Sequence, residues 1–266
     1  MNLLCPICGE NLNLQDRRYV CPKNHSFDIA RQGYVNLLTV EQKHSRCPGD
    51  TRLQVLSRRE FLDGGFYAPI AETLIQTARD LEISGTVLDV GCGEGYYCVK
   101  LSQALGLSLT GVDISKEAVR FAAGKYKGHQ WLCATAAHIP VADASADLIT
   151  SLFALTMPEE FHRIVKPGGY LFQVLAAQDH LLGLKSIIYD QLNFKEKDTI
   201  PQVPGFERVA SIPIRFSFTV EGSQVQNLLS MTPHVFRIGK EGAQRLEQTQ
   251  CLTDTASCML NVYRRG

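Results

Sequence analysis

The sequence predicts an α/β protein: a mainly parallel sheet covered by helices on both faces, preceded by a small metal-binding module. Three observations predict it. Short apolar runs alternate with helical stretches from about residue 68 onward. A glycine turn, Gly91-Cys92-Gly93-Glu94-Gly95, follows the first of those runs. Four metal-ligand residues near the start of the chain, Cys5, Cys8, Cys21 and His25, are spaced C-x2-C-x12-C-x3-H.

The elements follow in order. Cys5-Pro6-Ile7-Cys8-Gly9 and Cys21-Pro22-Lys23-Asn24-His25 are two tight turns, each able to aim its pair of ligands at one ion. Three thiolates and an imidazole form a zinc set, and filling all four positions leaves none for water, so the metal is structural. The alternatives are a disulfide or four unrelated residues. Nine cysteines, an odd number, fit a reducing compartment better than a disulfide framework. So few large apolar side chains stand in residues 1–35 that the metal must supply the folding energy of this module.

Residues 27–38 read as a mixed segment packing back onto the module. Residues 36–66 read as a linker with a helix: Pro48-Gly49 breaks the chain, Asp50 can cap, Leu53, Leu56 and Phe61 mark the apolar side, and Gly64-Gly65 ends it. Cys47 has no partner at ligand spacing. From there the expected elements are a helix at 71–81, strands at 86–90, 109–113, 131–134, 147–152 and 170–175, a helix at 96–105, and another capped by Ser115. Arg163 to Gly169, including Lys166-Pro167-Gly168-Gly169, reads as a turn. The domain division is therefore 1–35, 36–66 and 67–266.

Composition narrows the function classes. Of 266 residues, 45% are hydrophobic and 20% charged, with Lys+Arg and Asp+Glu both 27. This is an ordinary globular composition, and it excludes a disordered chain or a uniformly basic coat. The charge is uneven: residues 1–60 hold nine basic and six acidic side chains. No apolar run approaches the roughly 20 residues of a membrane span, and no secretory signal stands at the start, so the expected location is the cytoplasm.

In a parallel sheet the ligand lies beyond the C-terminal strand ends, here Asp89, Gly91, Gly93, Gly95 and Asp113. A dinucleotide needs G-x-G-x-x-G, and the third glycine position is occupied by Tyr96. The D-x-G-x-G-x-G run suits S-adenosylmethionine instead, with Asp113 accepting from the ribose and Asp89 and Glu94 near the cationic end. The architecture is then a class I Rossmann-like methyltransferase.

Several motifs together carry a resemblance: the CPxC and CPxxH turns, GYVNLL (33–38), SRCPGD (45–50), SRREFLDGGFY (57–67), LDVGCGEGYY (88–97) and LLSMTPHVFR (228–237). The chain resembles the zinc-bearing bacterial 23S ribosomal RNA guanine-N1 methyltransferases, a group with macrolide-resistance members. The resemblance implies S-adenosylmethionine as donor and a guanine in a domain II hairpin loop of 23S rRNA as acceptor. It places zinc on Cys5, Cys8, Cys21 and His25, and cofactor contacts on Tyr67, Gly95, Tyr96 and His180. A homodimer is compatible with it. The sequence departs from the expected pattern at Cys47, where an acidic residue is expected, and at Ala134-Thr135-Ala136, which lacks the carboxylate many methyltransferases use on adenine.

No residue stands out as general base for the guanine N1 proton, although Asp50 and His138 are candidates. Arg58 and Arg59 on the linker helix are the expected phosphate clamp for RNA. Two other readings remain: a methyltransferase of a small molecule such as a quinone, and a non-catalytic RNA-binding protein with an idle cofactor fold.

Overall fold

The computed structural model describes residues 1–43, 45, 48–192 and 197–266. Two sheets form. The small one is antiparallel, β1 (Asn13–Gln15), β2 (Arg18–Val20) and β3 (Ser26–Asp28). The large one has eight strands. In chain order they are β4 (Tyr34–Asn36), β5 (Thr86–Val90), β6 (Ser108–Asp113), β7 (Gln130–Cys133), β8 (Ala146–Leu152), β9 (Val165–Ala176), β10 (Phe206–Glu221) and β11 (Cys251–Arg265). Their spatial order is β10-β11-β9-β8-β5-β6-β7-β4, antiparallel only where β11 meets β9 and β10. The order reverses between β5 and β8, so the ligand crevice of such a sheet lies there.

The helices are α1 (Arg52–Asp63), α2 (Ala68–Asp80), α3 (Tyr96–Leu105), α4 (Lys116–Lys125), α5 (Pro158–Ile164), α6 (Leu182–Ile188), α7 (Ser223–Ser230) and α8 (Lys240–Gln248). A 3-10 turn spans Pro233–Phe236. Alternation along the strands sorts the core into two layers. Val87, Leu109, Trp131 and Leu148 face a layer filled by α1 to α4 and α6 to α8. Leu88, Val90, Val112 and Leu132 face the other, where α5 is the only helix represented among the described buried residues. Helices thus lie on both faces, as expected, and Leu3, Cys5, Leu12 and Cys21 of the N-terminal module join α5 in this second layer.

Several sequence expectations change. Residues 27–38 do not simply fold back on the module: β4 pairs in parallel with β7, and Leu37 N–H donates to the Cys133 carbonyl at 2.9 Å. A division at residue 35 runs through that strand. The linker helix α1 is integrated, with Val55, Phe61 and Leu62 buried, whereas Leu53 is 76% exposed. Its cap is Thr51, in a capping box with Gln54, and not Asp50. Lys166-Pro167-Gly168-Gly169 is the start of β9 and lies at the N-terminal edge of the sheet, far from the crevice. There Lys166 Nζ reaches both Asp147 oxygens at 2.8 and 2.9 Å, and Asp147 accepts from Thr86 N–H at 2.8 Å. A Cβ on Gly85 would sit 2.3 Å from that carboxylate, so its glycine keeps the cross-strand tie.

Candidate active site and metal centre

At the N-terminal module, the ligand atoms of Cys5, Cys8, Cys21 and His25 all lie within 4.8 Å of one another. His25 turns Nδ1 toward the sulfurs, 3.4 Å from both Cys5 and Cys21 Sγ. Two turns joined by the β1–β2 hairpin converge on one point, as a tetrahedral ion requires, and the sulfur-rich set suits zinc. Cys5 N–H donates to Glu10, and Gly9 N–H to Cys5, which fixes the first turn. These residues fit a structural zinc. The described cysteines are all free.

The crevice is built around the glycine turn. Gly91, Gly93 and Gly95 take φ of +76°, +56° and +90°, a region closed to most side chains. Gly95 and Gly111 also make room for the buried Trp131 ring, whose atoms would lie 2.7 and 2.4 Å from an added Cβ. Asp113 pins the turn: one carboxylate oxygen accepts from Gly93 N–H and the other from Ser115 N–H, each at 2.8 Å. Each oxygen keeps lone-pair capacity for a ribose hydroxyl. Asp89 sits beneath, accepting from the Thr150 hydroxyl at 2.6 Å across paired strands. Burial pushes its carboxyl up to about 6, while hydrogen bonds from Thr150 and Cys98 pull the other way. Glu94 is 2% exposed and neither of its oxygens has a protein partner. Burial raises its carboxyl too, offset by Lys125, Arg59 and Arg58. A buried carboxylate without a donor is costly. Three acids around a glycine turn fit a ligand bearing hydroxyls and positive charge, as S-adenosylmethionine does.

Tyr67 and His180 meet on the other side of the crevice. Tyr67 precedes α2 and is buried edge-on against Phe61, Phe216 and Phe218. His180 Nδ1 accepts from Ser257 N–H at 3.1 Å, so the ring proton resides on Nε2, 3.4 Å from the Tyr67 hydroxyl. The phenol oxygen accepts that proton and its own O–H is left to donate. Burial holds His180 down at about 4, so the ring is neutral at pH 7 and Nε2 is not a base. Tyr96 opens α3 with its side chain packed in the core, edge-on to Tyr97 at 5.0 Å.

Arg58 corrects the sequence reading. Instead of reaching outward as a phosphate clamp, it bonds Asp50 and the Met231 carbonyl, and lies 3.8 Å from where a Gly93 Cβ would be. It lies at the glycine-turn crevice. Arg59 is the more exposed of the two and pairs with Asp63 at 3.5 Å. Asp50, one candidate base, is thus occupied by Arg58, and its carbonyl accepts from Ser115 Oγ at 2.7 Å. His138, the other, is exposed and lines a cleft with Leu4, Cys5 and Pro6. Arg46 and Cys47 lie outside the described residues. Sequence reasoning missed Thr150 and gave Arg58 to RNA: only strand register and helix docking bring them to the turn.

Comparisons with known proteins agree with this geometry. A zinc-ribbon family model described as "RlmA, N-terminal" matches residues 3–46, and one described as "Methyltransferase domain" matches residues 88–173. A 23S rRNA (guanine(748)-N(1))-methyltransferase of Streptomyces fradiae is 34% identical over 87% of this chain and 84% of its own. A Micromonospora griseorubida protein, assigned provisionally to 23S rRNA guanine-N1 methylation, is 35% identical over 69% of this chain and 68% of its own. A demethylmenaquinone methyltransferase of Oceanobacillus iheyensis is 30% identical but covers only 43% of this chain. Among solved structures, the methyltransferase bound to the Haloferax volcanii Trm112 activator aligns with a TM-score of 0.51 at 16% identity, covering 80% of this chain and 96% of its own. That likeness concerns the fold. With both parts of the chain matched and a relative aligned over most of its length, the chain belongs to the 23S rRNA (guanine-N1)-methyltransferase family with an N-terminal zinc ribbon.

Proposed function

We propose that this chain transfers a methyl group from S-adenosylmethionine to N1 of a guanine in a hairpin loop of domain II of 23S rRNA. The observation that carries the reading is the pairing, in one core, of a four-ligand ribbon with an acidic glycine-turn crevice. The demethylmenaquinone methyltransferase relatives cover 40–45% of this chain, whereas the ribosomal RNA relative of Streptomyces fradiae aligns over 87% of it and the zinc-ribbon family model matches residues 3–46.

Bound S-adenosylmethionine supplies an electrophilic methyl carbon on a sulfonium. The protein's task is then alignment and exclusion of water. Asp113 holds the turn and faces the ribose, Glu94 and Asp89 favour the cationic end, and the Tyr67 hydroxyl, fixed by His180, offers a donor. We assign cofactor contact to Tyr67, Asp89, Gly91, Gly93, Gly95, Tyr96, Asp113 and His180, and zinc to Cys5, Cys8, Cys21 and His25. As the N–C bond forms and the C–S bond to the sulfonium breaks, the guanine N1 proton leaves and passes finally to bulk solvent. The division of labour assigns residues 1–35 to RNA recognition and 67–266 to methyl transfer, joined through 36–66. Among the described residues no helix is long and apolar enough to cross a membrane, and a ribosomal RNA substrate puts the reaction in the cytoplasm.

The test is reverse transcription across 23S rRNA incubated with the protein and cofactor. A methyl on N1 blocks Watson–Crick pairing, so one new cofactor-dependent stop at a domain II loop guanine is expected. Label transfer to small phenols or quinones, with no stop in the RNA, would overturn the reading.

A further inference from the structure

The acceptor side of the crevice is set by the segment after β8, which faces the glycine turn across the point where strand order reverses. Phe153 is the first residue there. Its φ is +54°, a left-handed conformation rare for a bulky side chain. Its N–H is held by the Val174 carbonyl at 2.9 Å, so this conformation is locked by β9. The next residue, Ala154, packs against the turn, its Cβ 2.6 Å from where a Gly91 side chain would begin. The effect is to turn the Phe153 ring outward: it is 41% exposed, 6.0 Å from the His180 ring and inclined 32° to it. Leu155 beside it is 73% exposed. Two large apolar side chains thus face solvent beside the crevice. The other exposed large aromatic among the described residues, Phe236, stands on the 3-10 turn after α7.

We propose that the Phe153 ring is the platform on which the acceptor guanine stacks, which rests on the function proposed above. Aromatic rings hold unpaired bases by stacking, and a loop guanine presented for attack at N1 must leave its own stack. A base lying on Phe153 sits one strand from the glycine turn, beside the Tyr67–His180 pair. The left-handed backbone is what points the ring there.

Phe153→Gly removes the ring and relaxes the backbone, since glycine adopts this φ freely; it tests function without loss of fold. Turnover of a 23S rRNA fragment is expected to fall about ten- to a hundred-fold in kcat/KM, in line with the loss of one base–aromatic stack. Affinity for S-adenosylmethionine, measured by calorimetry without RNA, should stay within about two-fold of wild type. Phe153→Tyr should restore turnover, and Phe153→Leu should not. Unchanged turnover in Phe153→Gly, or equal rescue by leucine, would overturn the stacking role. So would a parallel loss of cofactor affinity, which would place the ring in the cofactor pocket instead. Wild-type protein that methylates no RNA guanine would bring down the functional reading itself. Failure in the variants alone leaves that reading standing.

Discussion

In the ribbon, all four proposed zinc ligands come from residues 5–25, and two tight turns suffice to bring them together. In the crevice, the converging groups come from α1 (Arg58), the start of α2 (Tyr67), the ends of β5 and β6 (Asp89, Asp113) and the loop before α6 (His180). The first site is local and is closed by a metal; the second is assembled by the packing of distant elements. Yet the ribbon is not a free appendage, because Leu3, Cys5, Leu12 and Cys21 lie in the same apolar layer as Leu88 and Val112. The difference teaches where each region is vulnerable: the ribbon to loss of one ligand, the crevice to any change that shifts a helix.

The largest expected effect is on the ribbon. Cys21→Ser should lose the metal, measured by elemental analysis, because structural zinc contributes on the order of 10 kcal/mol or more to modules of this kind. Methylation of RNA should drop more than about a hundred-fold, equivalent to some 3 kcal/mol. Cofactor affinity should hold within a few-fold. If cofactor binding collapses as well, the shared core couples the two regions so tightly that the contrast between them breaks down.

Next come the adjacent arginines of α1, which make different contacts. Arg58→Ala leaves the Asp50 carboxylate unpaired beside the turn, and a charge-assisted hydrogen bond is worth about 1.5–3 kcal/mol. Cofactor affinity should weaken roughly ten- to a hundred-fold. Arg59→Ala removes only a partly exposed i,i+4 pair, worth about 0.3–0.5 kcal/mol, and should change cofactor affinity less than about two-fold. Titration calorimetry on both variants decides it. Equal effects would return Arg58 to the surface role that its sequence position suggests.

The smallest effects are in pH. The Asp89 carboxyl, raised to about 6 from an ordinary 3.8, favours stability most below 3.8, and that contribution is lost as pH rises through 6. His180 and His234, both held at about 4 against an ordinary 6.5, act oppositely. Their contribution is present above 6.5 and is lost as pH falls through 4. Burial raises the Glu94 and Asp113 carboxyls as well, so they act with Asp89 against the histidines, and thermal stability should change less on acidification than the histidines alone would make it. Cofactor affinity should fall as Asp89 takes up its proton near 6, since a cationic ligand prefers the carboxylate. In Asp89→Asn the affinity should be weaker and flat from pH 5 to 8, and a persisting slope would mean another group titrates.

The sequence by itself determined the elements whose chemistry is written in consecutive residues. The C-x2-C and C-x3-H turns, the glycine run, the acid ending β6 and the Ser115 cap of α4 are local, and each is found where its spacing places it. What only the tertiary structure decided is which distant residues share a surface. Arg58 and Arg59 are neighbours in the chain, but they diverge because successive helical side chains point about 100° apart. Leu53, an apolar residue, is exposed, while β4 leaves the ribbon to extend the large sheet. Lys166-Pro167-Gly168-Gly169, read as a turn, opens β9 and ties strands together at the opposite end of the sheet. Phe153 carries no mark in the sequence, because its exposure depends on a backbone angle fixed by β9 and on Ala154 packing against Gly91, 63 positions earlier. Hydrogen-bond register and helix docking set such pairings, and neither is encoded in any short window of sequence.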